Sequence, residues 1–371
     1  MGTGATVAHG AIRCNRLGAV GNGNPGIEAR PRQFKIRLRC NISYTRNTAR
    51  WLPLLALCLS SIGASAQTCL TTSDMDEATR SALVTTAKRF DDMVARGDAA
   101  ALRQSAIPSL AANFSGIENA VRDNQANLAG SQAAPRPPFM LKAEGTAPLE
   151  RAEFLCGVFG AQGQTRDSAV FIIPNLPPGN YAITILDVVS PQGAYTISFV
   201  LQQQGSDWKL GGFYAKPAQI AGHDGNWFAD RAREFKAKGQ MRVAWFYYGE
   251  ARELLVPVPF MATAMTDKLY DEMQTVKPSD LPPIDLMAGT KTYKLTELFP
   301  IPVARDFDLL VKYQTADVSD SGRAFQDNAA VMKALVMKYP EFREAFAGIV
   351  VRAVEPSGRD YGSMLAMKDI K

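Results

Sequence analysis

The most compact polar cluster in the chain is Gly222-His223-Asp224-Gly225-Asn226-Trp227. An imidazole beside a carboxylate can pass protons, and an indole nearby offers a stacking surface. The same residues also suit a helix start, with Asp224 or Asn226 capping a helix from Trp227 and His223 on the preceding loop. Asp187 is a second candidate, since it interrupts the apolar run Tyr181–Val189. Inside a curved sheet it would be a general base with a raised pKa. At a strand end next to Pro191 it would face solvent. Trp245-Phe246-Tyr247-Tyr248 is an aromatic run on a helix, so its members point in different directions. Trp227, Trp245 and Tyr247 are therefore candidates for a ligand or partner surface. The alternative is a helix sandwiched between layers and buried on most sides.

Other chemistries are poorly served. Beyond residue 66 the chain holds one histidine, His223, and two cysteines, Cys69 and Cys156. A histidine-based zinc site needs more ligands than that. There is no Gly-x-Ser-x-Gly elbow and no Gly-x-x-x-x-Gly-Lys phosphate loop. The residues imply no cofactor and no metal, and they make a non-enzymatic protein the leading expectation.

Residues 46–66 read as a secretory signal peptide. Arg46 and Arg50 precede the apolar run Trp51–Ile62, and Ala64-Ser65-Ala66 supplies small residues for cleavage before Gln67. Twelve apolar residues are too few for a span, which needs about 20. Residues 1–45 are rich in Gly, Asn and Arg without periodicity and are expected to be a disordered basic leader. The formal net charge of +5 comes from this end. Residues 1–66 carry nine bases and one acid, leaving 32 bases against 35 acids, a net charge of −3, for residues 67–371. That balance argues against nucleic acid as a partner. Export to the periplasm or the cell exterior would place Cys69 and Cys156 where a disulfide forms. Pairing depends on a Cα separation that spacing alone does not provide.

The candidate residues need elements to hold them. Residues 73–97 predict a helix with Ser73 as cap and Leu83, Ala87, Phe90 and Val94 on one face. Asp98 caps a second, Pro108 breaks the chain, and Phe114, Ile117, Val121 and Leu128 mark a third. After the connector Gly130–Pro138 the period changes to two. Strands are expected over Phe139–Ala143, Arg151–Phe159, Ala169–Ile173, Tyr181–Val189, Tyr195–Gln202 and Trp208–Phe213. Helices followed by a meander indicate an α+β fold, with helices packed on a curved antiparallel sheet.

Arg96-Gly97-Asp98 between helices, and a meander closing on Trp208-Lys209-Leu210-Gly211-Gly212-Phe213, resemble the cystatin-like, nuclear-transport-factor-2-like superfamily over residues 73–215. The resemblance implies a cone that often encloses a pocket. Some members are isomerases or dehydratases, and many only bind or dimerise. An enzyme of that kind, with Asp187 as its base, is the alternative expectation.

Residues 219–276 look like one tetratricopeptide-like hairpin, helix Trp227–Lys238 and helix Met241–Leu255, turned at Gly239 and covered by a third helix Thr266–Thr275. Residues 277–283 (KPSDLPP) read as a Pro-rich linker. Residues 284–371 predict a small β-β-α-β-β layer with strands Thr292–Leu298, Asp306–Gln314, Ile349–Glu355 and Tyr361–Met367. Its helix Ser321–Tyr339, capped by Asp320, would turn Phe325, Ala329, Met332, Leu335, Val336 and Tyr339 inward. The expected role is an exported binding protein of the cell envelope or secretome, whose partner is a protein or a small apolar ligand.

Overall fold

The computed structural model describes residues 67–371, except residue 162 and the side chain of residue 167. The leader 1–45 and the export signal 46–66 lie outside the described residues. Strand β1 (Gln67–Leu70) comes first, followed by helix α1 (Glu77–Ala95). The cap of α1 is Asp76, which accepts the Thr79 amide at 2.7 Å, and not Ser73. Ser73 is occupied instead in a turn with Thr71, whose amide bonds Asp74. Gly97, at φ +71°, ends this helix in a conformation that costs glycine nothing. Helix α2 (Ala99–Gln104) is capped by Asp98 as expected. Pro108 does not merely break the chain; it opens α3 (Pro108–Ala112), where its missing N–H is harmless. Helix α4 (Ser115–Leu128) follows.

The connector contains a strand, β2 (Gln132–Pro135), before β3 (Phe139–Ala143). Then come β4 (Leu149–Gly160), β5 (Gly163–Leu176), β6 (Gly179–Ser190), β7 (Gly193–Gln204) and β8 (Asp207–Pro217). They are not one meander. The first sheet runs β1-β3-β6-β7-β8, with β2 also paired to β6. The β4–β5 hairpin folds over onto that sheet's second face as a separate layer. The reason lies in β6, where Ala182, Leu186 and Val188 face the helices while Tyr181, Ile183 and Ile185 face the hairpin. A strand apolar on both sides must be covered on both. Helices α1, α2 and α4 fill the first face with Leu83, Phe90, Leu102 and Val121, against Phe199 and Trp208.

Two short strands, β9 (Gln219–Ile220) and β10 (His223–Asp224), lead into α5 (Gly225–Ala237) and α6 (Met241–Leu255), the expected hairpin with Gly239 at its turn. Strand β11 (Met261–Thr263) pairs with Phe171–Ala169 of β5, so the chain returns to the second layer. Helix α7 (Ala264–Gln274) begins at a Thr263/Thr266 capping box.

The C-terminal sheet has a strand the periodicity did not reveal, β12 (Ile284–Ala288), then β13 (Lys291–Val303) and β14 (Asp306–Gln314). Helix α8 (Ser321–Lys338) and the short α9 (Phe342–Ala345) cross over to β15 (Gly348–Val354), which pairs in parallel with β14, and β16 (Asp360–Ala366) closes the order β12-β13-β14-β15-β16. Asp320 caps α8, but the buried stripe is Ala324, Asn328, Val331, Met332, Leu335 and Val336. Phe325 is exposed. The helix is rotated because Asn328 reaches into the sheet, donating to the Val351 carbonyl at 3.1 Å and Ser363 Oγ at 3.0 Å. The α5–α6 hairpin and this sheet share one core, in which Phe228, Phe235 and Tyr247 meet Phe307 and Phe346. The 277–283 segment is held as well. Buried Arg242 pairs with Asp280 and lies over the Tyr339 ring at 4.5 Å, while Tyr339 Oη donates to Asp280 at 2.9 Å.

Candidate functional site

Asp187 is not an inward base. It shares the hairpin-facing side of β6 with Ile183 and Ile185, yet its side chain is 52% exposed and accepts two bonds from Arg136, at 3.0 and 2.6 Å. Arg136 is delivered by the short connection between β2 and β3, which run along the same edge of β6. That pairing was invisible in the sequence because β2 carries no strong alternation. Between the helices and the sheet Leu83, Phe90, Leu102 and Val121 pack with Phe199 and Trp208.

Asp224 is the N-cap of α5, accepting the Trp227 amide at 2.9 Å, so its carboxylate is engaged in starting the helix. His223 stacks face to face on Trp227, with centroids 3.6 Å apart and planes 9° apart. Trp227 is 38% exposed, and the imidazole lies over one face of its indole. Tyr247 is not a surface group. It is buried, its hydroxyl donates to the Ala345 carbonyl at 2.6 Å, and burial pushes its phenol pKa up. Trp245 is half-buried against the same core. Helix α6 is therefore the sandwiched helix of the alternative reading, because α5, α7 and the C-terminal sheet all pack on it.

Cys69 and Cys156 are joined, with Cα atoms 5.1 Å apart. The bridge ties β1, at the edge of the first sheet, to β4 of the second layer.

The structure also assembles a polar seam that spacing did not announce. Lys216 on β8 donates to the carbonyls of Glu253 and Val256, closing the C-terminus of α6 with a cation. Burial brings its ammonium down to about 8, and Arg136 adds to this while Glu253 and Glu250 oppose it. Glu250 is pushed up to about 7 by burial and by the neighbouring Glu253 carboxylate. A lysine and a glutamate titrating near neutrality can exchange protons. Here two of the ammonium's three hydrogens go to backbone carbonyls, so the seam joins the first sheet to the hairpin.

The outer face of the C-terminal sheet is a surface feature that sequence reasoning missed. Leu309, Val311 and Tyr313 of β14 face the core, so Asp308, Leu310 and Lys312 face the other way. Register places Phe299, Leu310, Val350 and Met364 in one row across four strands. Phe299 and Val350 are half-buried and Met364 is 44% exposed. The next row is charged: Glu297 pairs with Lys312 at 3.0 Å, and Arg352 pairs with Asp360. These side chains line a shallow cleft of about 680 Å³ with Thr296 and Glu355. At the apolar row's other side Asp308 is fully buried, with only the Gly348 amide near enough to favour its charged form. Burial and the nearby Asp306 raise its pKa, against the Gly348 amide, which lowers it. A count of apolar residues in β13–β16 would have revealed the row, since both parities are apolar there.

Among the described residues no group of three or more His, Cys, Asp or Glu could hold a metal, and no helix is long and apolar enough to cross a membrane. Comparison with protein-family models, with curated proteins and with solved structures finds no match to this chain.

Proposed function

We propose that the protein is exported and acts by binding, as a component of the cell envelope or secretome whose partner is a protein or a small apolar ligand. The observation that carries the reading is the closed Cys69–Cys156 bridge. Disulfides persist in oxidising compartments, and the two cysteines that pair are the two that remain after the expected cleavage at Ala66. The outer face of the C-terminal sheet supports the binding half. An apolar row of Phe299, Leu310, Val350 and Met364 bordered by charged pairs has the composition of a contact surface.

The test is fractionation of cells producing the chain with its own N-terminus. The reading expects the protein outside the cytoplasm, shortened to Gln67, with both remaining sulfurs closed to alkylation. Uncut chain in the cytosol with Cys69 and Cys156 open to alkylation refutes it. For the binding half, any partner captured by wild-type protein should be lost with Val350→Lys. A partner retained equally by that variant moves the surface elsewhere.

A further inference from the structure

We propose that Gln67 is a modification site: once the chain is cut after Ala66, its α-amine closes on its own carboxamide to a pyroglutamyl ring, assisted by the fold. This inference rests on the export reading above, because it needs Gln67 as the first residue. The structural observation is the partner of the Gln67 side chain. The backbone N–H of Glu153 on β4 donates to Gln67 Oε1. That oxygen is the one that would bear negative charge when a nucleophile adds to Cδ. A fixed N–H aimed at it is the donor arrangement that stabilises addition to a carbonyl. Two features hold the pair in place. Strand β1 is in register with β3, Gln67 opposite Ala143, and two residues on, Cys69 is bonded to Cys156 of β4.

The step balances without a co-reactant. The lone pair of the neutral α-amine forms the N–Cδ bond. The tetrahedral adduct then breaks Cδ–Nε2, an amine proton passes to Nε2, and ammonia leaves; nothing is oxidised or reduced. An α-amine titrates near 8, so a substantial neutral fraction is present at physiological pH. Closure removes an ammonium charge at the start of β1, where Thr68 lies opposite Lys142, and leaves no free α-amine at the terminus.

Intact mass and N-terminal sequencing of the exported protein decide the matter. The expected product begins at Gln67, is lighter than the open chain by one ammonia, and resists stepwise degradation until a pyroglutamyl peptidase is added. A chain beginning at Gln67 with a lasting free amine overturns the proposal and leaves the export reading intact. An exported chain beginning elsewhere overturns the proposal alone, and uncut chain in the cytosol overturns both. The contribution of the fold is read from the rate. Freshly exported Cys69→Ser/Cys156→Ser protein should close several-fold more slowly than wild type, because β1 is no longer fastened to β4. Equal rates would remove the fold from the account.

Discussion

The first sheet and the C-terminal sheet solve the same problem differently. Strand β6 of the first is covered on one side by α1, α2 and α4 and on the other by the β4–β5 hairpin, and a disulfide fastens the covering layer. The second has α8 and the α5–α6 hairpin on one side, while on the other Leu310 is buried, Phe299 and Val350 are half-buried and Met364 is exposed. A sheet covered twice is spent on stability, whereas a sheet covered once retains surface for recognition. The chain between them is not a loose tether. After the α5–α6 hairpin, Val258 and Phe260 enter the core between the first two layers and β11 extends the second.

Removing the bridge should break the contrast most severely. Closing a loop across 87 residues stabilises by about 4 to 5 kcal/mol in the chain-entropy model. Cys69→Ser/Cys156→Ser should therefore lose about that much in urea unfolding, and added reductant should have no effect on it. Core truncation sharpens the comparison. Phe171, buried between the two layers and packed on Phe139 at 5.1 Å, should cost about 3 to 5 kcal/mol as Phe171→Ala. Phe299→Ala on the outer row should cost about 1 kcal/mol or less. Equal losses would mean that the outer row is as covered as the inner layer.

A titration probes the helix side of the first sheet. Burial, helped by Asp92, raises the Asp91 carboxyl to about 6. The folded state then binds more protons than the unfolded chain between about pH 4 and 6, so stability falls as pH rises through that window. Asp91→Asn should flatten that part of the denaturation-versus-pH curve, and an unchanged slope would assign the proton elsewhere. The smallest effect is expected from Met364→Glu. On the outer row it should move stability by no more than about 0.5 kcal/mol, leaving binding as the property it changes.

Much of the fold was legible locally. Asp98, Asp224 and Asp320 cap the helices that their positions foretold, and the turns after Pro177, Pro191 and Gly205 separate β5 to β8 as read. Apart from the α1 cap, which a local turn moved from Ser73 to Asp76, and Pro108, which opens α3, the larger misreadings came from contacts distant in sequence. Strand β2 exists because residues 132–135 find β6. Alternation could not tell that the β4–β5 hairpin leaves the meander, since a strand reads the same whichever sheet receives it. The candidate site fared likewise. Asp224 could be read as a cap from its neighbours, but the Arg136–Asp187 pair spans 51 residues and the Lys216 contacts to α6 span 37 and 40.

Residue order alone therefore determined most helix caps and where the hairpins turn, because these follow from backbone chemistry within a few residues. Tertiary structure decided which faces were left over. Tyr247 became core, Asp187 became a surface ion pair, and Glu153 came to offer its N–H to Gln67. Burial is a property of what packs opposite, and what packs opposite lies far along the chain.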